Sequence, residues 1–291
     1  DYEGGNGEGH NTAIGSLSQS NATTGEFNSS LGTLSMGVGV ITGDHNVGIG
    51  YKALEDLTSA VYNVALGNQA LMQVTSGSQN IAIGFNALSA ETTGQRSVAI
   101  GDHALATLNN NANNYNTAIG YAAGFAMTTG VQNTLIGSLA GDALTEGGEN
   151  TALGYLALSG ETKGDRNVAL GAYTLFTQNN TTNANTYNTA VGYNAGATMT
   201  TGVKNTLVGG LAGDALTTGT HNVALGWDSL AATTVGGFNV ALGGQSMLYN
   251  VDGSRNVAVG YGSLQIMDPA SAVDTYNVAV GFHAGFAITT G

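Results

Sequence analysis

The chain repeats one short line of polar and apolar positions sixteen times. Each line opens on Asn (once on Ser) and continues with a β-branched or small residue, a residue that is nearly always small, an aliphatic residue and Gly, as in NTAIG at Asn116–Gly120. The starts are Asn11, Asn28, Asn46, Asn63, Asn80, Ser97, Asn116, Asn133, Asn150, Asn167, Asn188, Asn205, Asn222, Asn239, Asn256 and Asn277. Eleven of the 15 intervals are 17 residues and the others are 18, 19, 21 and 21, so the unit is numbered 1 to 17 from the Asn. Positions 1 to 4, short, β-branched and ended by Gly, predict a strand with a turn after it. A second, less regular strand is predicted over positions 8 to 12, with Thr-x-Gly at 13 to 15 as the return turn.

A two-strand unit of this size cannot bury its own apolar face. Stacked copies can, because each position then meets its equivalent about 4.8 Å away. Gly at a fixed place in every unit is incompatible with a long helix. The pattern therefore predicts an all-β chain, a parallel β-solenoid of about 16 coils over residues 11–291, after an N-terminal extension at 1–10.

Position by position, the pattern assigns roles. The Asn residues, among them Asn116, Asn133, Asn150, Asn167, Asn188, Asn205, Asn222 and Asn239, are expected to form a ladder of side-chain hydrogen bonds from coil to coil. The invariant Gly at position 5 is expected where a positive φ or a close approach excludes a Cβ. Position 4 is always Ile, Leu or Val, which predicts that Ile119, Ile136, Leu153, Leu170, Val191 and Val208 form the core. Position 3 is nearly always small, and a row of Ala there is expected to let a second layer approach. Both faces of the strand are low in polarity apart from the Asn, which predicts a homo-oligomer. Where position 9 is Gly instead of Leu, at Gly124, Gly141, Gly196, Gly213 and Gly285, position 12 is apolar.

Two features rise above this scaffold. Three units are lengthened late, at Leu108–Tyr115, Phe176–Tyr187 and Ile266–Tyr276, and all three insertions end in Tyr. Such insertions in repeat proteins often mark a binding edge, so Asn110, Asn180 and Asp274 are candidate ligand or interface residues. From the seventh unit onward position 6 alternates aromatic and small, with Tyr121, Tyr155, Tyr193, Trp227 and Tyr261 as the rings. Rings two coils apart could stack on sugars or pack against a neighbouring subunit. Position 17 is mostly large and carries every Arg, which reads as a solvated corner with room for cation–π pairs.

Composition narrows the function. Net charge is −13 with six Lys and Arg, too few cations to neutralise phosphates or to hold an anionic membrane. There is no Cys, and no apolar run of about 18 residues that would insert in a membrane. His residues are scattered, no pair of carboxylates recurs on adjacent coils, and acidic spacing does not match a calcium-binding roll. No catalytic residue, metal ligand or cofactor is therefore assigned, and the chain reads as non-catalytic.

The units SVAIG at Ser97–Gly101 and NVALG at Asn167–Gly171 resemble the head repeats of trimeric autotransporter adhesins. NTAIGYAAG from Asn116 and NVALGNQAL at Asn63–Leu71 are similar to repeats of phage tail-fibre and bacterial surface proteins. The resemblance spans nearly the whole chain. It implies a left-handed parallel β-roll, assembled as a trimer, extracellular, on a cell surface or virion, with a surface glycan or receptor as partner. The expectation is a fibre or adhesin shaft. The alternative is a self-assembling extracellular filament whose subunits join end to end.

Overall fold

The computed structural model describes residues 10–267, 269 and 271–288. The expected extension at 1–10 lies outside them except for His10. Among the described residues there is no helix; every regular element is a strand of two or three residues. The chain forms a parallel β-solenoid of about 16 coils and divides into two compact units, Asp1–Glu146 and Gly147–Gly291.

The first unit stacks eight three-residue strands: β1 (Thr12–Ile14), β2 (Ser29–Leu31), β3 (Val47–Ile49), β4 (Val64–Leu66), β5 (Ile81–Ile83), β6 (Val98–Ile100), β7 (Thr117–Ile119) and β8 (Thr134–Ile136). Pairing is parallel and in register, position onto position, as in Ala82↔Ala99 and Ile83↔Ile100. The second unit repeats this with β9 (Thr151–Leu153), β11 (Val168–Leu170), β13 (Thr189–Val191), β14 (Thr206–Val208), β15 (Val223–Leu225), β16 (Val240–Leu242), β17 (Val257–Val259) and β18 (Val278–Val280). It adds a two-stranded pair, β10 (Gly164–Asp165) with β12 (Ala184–Asn185). Positions 8 to 12 form turns, not the predicted second strand.

The turns follow from local chemistry. At position 5 the backbone has φ near +135°, and a Cβ on Gly84 would lie 2.4 Å from the carbonyl oxygen of Gly101 in the next coil. No side chain fits there, which explains a Gly in every unit. Positions 7 and 9 are also left-handed but carry side chains, as at His103 (φ 58°) and Leu88 (φ 51°). That conformation costs about 1–2 kcal/mol per L residue. It is held because N–H groups at these positions bond carbonyls of a neighbouring coil: Leu88 N donates to Ala104 O at 3.0 Å and His103 N to Phe85 O at 2.9 Å.

The core corrects the face assignment. Position 3 points inward: Ala65, Ala82, Ala99, Ala118, Ala152 and Ala190 are all fully buried. Position 9 (Leu54, Leu71, Leu88, Leu158), position 8 and position 12 complete the interior. Ile119, Ile136, Leu170, Val191 and Val208, expected in the core, lie on the outer face and are half-buried, and Leu153 is 48% exposed. The reason is volume. A coil of 17 residues encloses little space, and Leu at position 9 already fills it from the opposite wall, so the strand can offer only a methyl. The Ala row therefore cannot meet a second layer; positions 2 and 4 can.

Two coils break the small-residue rule and show why it exists. Leu135 and Leu207 occupy position 3 and are fully buried. A Cβ on Gly141 would lie 2.9 Å from Leu135 Cδ2, and one on Gly124, in the preceding coil, 2.9 Å from Leu135 Cδ1. Leu207 stands in the same relation to Gly196 and Gly213, at 2.8 and 2.9 Å. One large side chain from the strand replaces two from the far wall.

Asn at position 1 is the inner seam. Its Oδ1 accepts from the backbone N–H of the next Asn: Asn80 N to Asn63 Oδ1 at 2.9 Å, Asn205 N to Asn188 Oδ1 at 2.9 Å. Its Nδ2 donates across its own coil to the position-15 carbonyl, as Asn63 to Gly77 O at 2.9 Å and Asn116 to Gly130 O at 2.8 Å. Direct amide-to-amide bonds join some steps, such as Asn133 Nδ2 to Asn116 Oδ1 at 3.3 Å. Each buried amide thus closes one coil and registers the next.

Candidate functional site

The three insertions leave their coils at one place, between positions 12 and 17, and each is stapled from the coil before it. At its end the chain pairs back with position 16 of that coil: Gln95 with Asn113, Asp165 with Asn185, Ser254 with Asp274. Next to each pairing stands one of the three Arg residues. Arg96 Nη1 donates to the Tyr115 hydroxyl at 2.7 Å, with its Cζ 5.5 Å from the ring centroid. Arg166 binds Glu149 through Nε and Nη2 (2.9 and 3.0 Å) and reaches Asn185 and the Tyr187 hydroxyl through Nη1. Arg255 pairs with Asp274 at 2.9 Å and lies over Phe238 and Tyr276, 5.0 and 5.8 Å from their centroids. The Arg166 bonds hold the Glu149 carboxyl below its usual range and the guanidinium above its own.

Two insertions are also held from inside by a buried carboxylate. Glu91 and Glu161 occupy position 12, which is Leu, Val, Ile or Met in nine of the other coils, and both are fully buried. Glu91 Oε1 accepts from the N–H groups of Thr92, Thr93 and Gly94 at 3.0, 3.2 and 2.7 Å. Its Oε2 turns to the insertion and accepts from Asn114 Nδ2 at 3.0 Å and Asn110 N at 3.4 Å. Glu161 repeats the arrangement: Oε1 takes Thr162, Lys163, Gly164 and Asn180 N–H, and Oε2 takes Asn180 Nδ2 and Gln178 Nε2. Burial pushes the Glu91 carboxyl up, while the N–H donors pull against it.

The insertion residues singled out in the sequence therefore differ in availability. Asn180 is buried and its amide is committed to Glu161. Asn110 donates its Nδ2 to Thr129 O at 3.0 Å. Asp274 is exposed but paired with Arg255. These side chains build the loops; the exposed surface is at Asn111, Ala112 and Asn113 in the first insertion and Thr181–Asn183 in the second. The buried glutamates were not foreseen, although a Glu at a mostly apolar position, one coil before each of the first two insertions, was visible in the sequence.

The position-6 rings lie on the surface at the corner after the Gly turn. Tyr121 in the first unit and Tyr155, Tyr193, Trp227 and Tyr261 in the second are all exposed. In the second unit Tyr173, at position 7, makes edge contacts with Tyr155 and Tyr193 at 5.4 and 6.1 Å, so those rings join one cluster. At position 17, His10, Phe27, His45 and Tyr62 stack face to face at 4.8–5.0 Å.

The outer face of the sheet carries an aliphatic residue at position 4 of every coil, while position 2 is Val or Ile in nine coils and Thr or Ser in seven. Leu31 (48% exposed) and Leu66 (43%) in the first, and Leu225 (49%) in the second, stand at position 4, with Val64, Ile81 and Val223 at position 2. Among the described residues no three His, Asp or Glu side chains are placed to hold a metal ion, and no helix is long and apolar enough to cross a membrane. No protein-family model matches the chain, and no curated protein or solved structure matches it either.

Proposed function

We propose that the chain is a non-catalytic structural shaft, a fibre or adhesin segment, that assembles with copies of itself through the outer face of its sheet. The observation behind this reading is the unbroken row of aliphatic side chains at position 4, flanked at position 2 by Val, Ile, Thr or Ser, repeated coil after coil with no charged residue among them. A sheet face left in water ordinarily carries polar residues on that side. Contiguous apolar patches beyond a few hundred Å² mark interaction sites. A second copy presents the same flat ladder and is the simplest cover for it, and three faces around an axis bury all of them. A trimer outside the cell, on a surface or a virion, follows from the resemblance of the repeats. The insertions and exposed rings would then meet a glycan or receptor.

The test is to place charge on the face without touching the core, with Leu66→Glu, Ile83→Glu and Ile100→Glu combined. Loss of the oligomer with an unchanged β-type circular dichroism spectrum supports the reading; an oligomer of unchanged mass overturns it. Filaments lengthening end to end would favour the alternative of a self-assembling subunit.

A further inference from the structure

In the second unit the exposed rings at position 6 form a row with a fixed interval. Tyr155, Tyr193, Trp227 and Tyr261 stand two residues beyond the ends of β9, β13, β15 and β17. The strands between them, β11, β14 and β16, are followed at the same place by Ala172, Gly210 and Gly244. Pairing in register keeps these positions in line, so a ring recurs at every second coil, about 10 Å from the last. Trp227, the only Trp in the chain, is 55% exposed, and Tyr193 is 58% exposed. The spacers keep the surface between rings low. A Cβ on Gly210 would have one neighbour within 4 Å, Trp227 Cδ1 at 3.8 Å, and one on Gly244 would touch the Tyr261 ring at 3.4 and 3.6 Å. The rings are also braced: Tyr173 meets Tyr155 and Tyr193 edge-on, and the Tyr261 hydroxyl donates to Gln245 Oε1 at 2.6 Å. The first unit has the same interval at Tyr51, Phe85 and Tyr121, but the larger polar residues Asn68 and Asp102 stand between those rings.

We infer that this row binds an extended, neutral β-1,4-linked polysaccharide, of the glucan or N-acetylglucosamine kind, running along the solenoid. The inference names the glycan of the function proposed above and rests on that reading for the rings being a glycan surface. Sugars carry apolar C–H faces that pack on aromatic rings. In a β-1,4-linked chain each sugar is turned over relative to the last, so one face returns at every second sugar, an interval close to two coil steps. A straight row of rings therefore meets alternate sugars of such a chain. An α-1,4-linked chain curls and leaves the row. Each ring acts on its own sugar, so no two rings need to face one another. Several weak contacts on one chain act as linked sites, and affinity grows with the length of the sugar. The net charge of −13, with Asp228 next to Trp227 in the chain, disfavours glycans that carry carboxylates or sulfates. The competing occupant is a partner subunit, whose packing does not call for rings on alternate coils only.

The probes are cellohexaose and N-acetylchitohexaose, titrated into the whole protein and followed by calorimetry and by Trp227 fluorescence. Maltohexaose and an oligogalacturonide are the controls for linkage and charge. At least one of the two β-1,4-linked hexasaccharides is expected to bind saturably, and at least about tenfold more tightly than its own disaccharide, because it spans several rings. Both controls should bind severalfold more weakly. By calorimetry, Trp227→Ala and Tyr193→Ala should each weaken the hexasaccharide severalfold. Gly210→Glu, which sets a charged side chain between two intact rings, should do the same, while Tyr62→Ala, at the position-17 corner, should not. Sedimentation of the same samples reports assembly separately. Sugar binding by a monomer would leave the inference standing while the shaft reading falls, and an oligomer that binds neither hexasaccharide overturns the inference alone. Equal binding of maltohexaose, or an affinity that does not change with sugar length, overturns it too. So does a Trp227→Ala variant whose oligomer changes mass while its sugar binding does not, which would assign the rings to a subunit interface.

Discussion

Leu135 fills, from the strand, the space that the absent side chain of Gly141 leaves on the opposite wall of the same coil. The two residues are six apart in sequence, and a Cβ on Gly141 would come within 2.9 Å of Leu135 Cδ2. Replacing Leu135 by Ala empties this space and should cost about 2–4 kcal/mol. Gly141→Leu alone overpacks it and should cost about 1–3 kcal/mol. Together they should cost less than the sum, because Leu at position 9 over Ala at position 3 is what coils such as that of Leu88 already use. A double-mutant cycle on urea midpoints reads the coupling; additive costs would deny the exchange.

The buried amide seam sets a second expectation. In Asn63→Ala, the N–H of Asn80 and the carbonyl of Gly77 lose their partners inside the coil. Each buried group left unpaired costs about 1–3 kcal/mol. Hydrogen exchange should show the loss concentrated in the coils beginning at Asn63 and Asn80, since a solenoid transmits stability from neighbour to neighbour. Uniform loss across the first unit would contradict this.

Gly84→Ala tests the turn. The added Cβ would meet the Gly101 carbonyl oxygen at 2.4 Å, with φ at +135°. Backbone has to move, so destabilisation should exceed the about 1 kcal/mol typical of point changes. Thermal unfolding of this variant beside Ser89→Ala, a change at a half-buried position, reads the difference.

The buried acids give a pH dependence with a definite sign. Burial pushes Glu91 up, and burial followed by the charge of Asp228 pushes Asp214 up. In the unfolded chain both ionise near about 4. Between that value and the higher folded one, the folded chain binds more protons. The contribution of these groups to stability is therefore full below the unfolded value and lost as pH rises through the folded one. Urea midpoints should fall as pH rises above the unfolded value, and the slope should flatten in Asp214→Asn and in Glu91→Gln. Glu91→Gln should also lower stability at every pH, because its amide nitrogen cannot accept from Asn110 and Asn114. An unchanged slope in both variants would remove these acids from the account.

Much of this fold was legible in the repeat. Interval, coil number, strand position and the Gly turn all follow from Asn and Gly recurring in phase, because a stack of identical coils forces every position onto its own copy. The inward face was misread for a physical reason. Alternation decides a face only when the other one is polar, and here Ile119 and Ala118 are both apolar. Size was the better guide: small residues at position 3, exchanged for Leu only where position 9 is Gly, report an enclosed space of fixed volume. The supports of the insertions were partly visible, since Arg at position 17 precedes each inserted unit. Their geometry was not, because Glu91 meets Asn114 only between adjacent coils, 23 residues apart, a contact that sequence spacing does not reveal.

The outer face of the sheet is the centre of the account, and the mass of the particle in solution tests it most directly. Sedimentation equilibrium of the whole protein at micromolar concentration should give a discrete multiple of the 29.1 kDa chain, three being the expected number. A wild-type protein that stays monomeric throughout that range, with Leu31, Leu66 and Leu225 open to water, would contradict it.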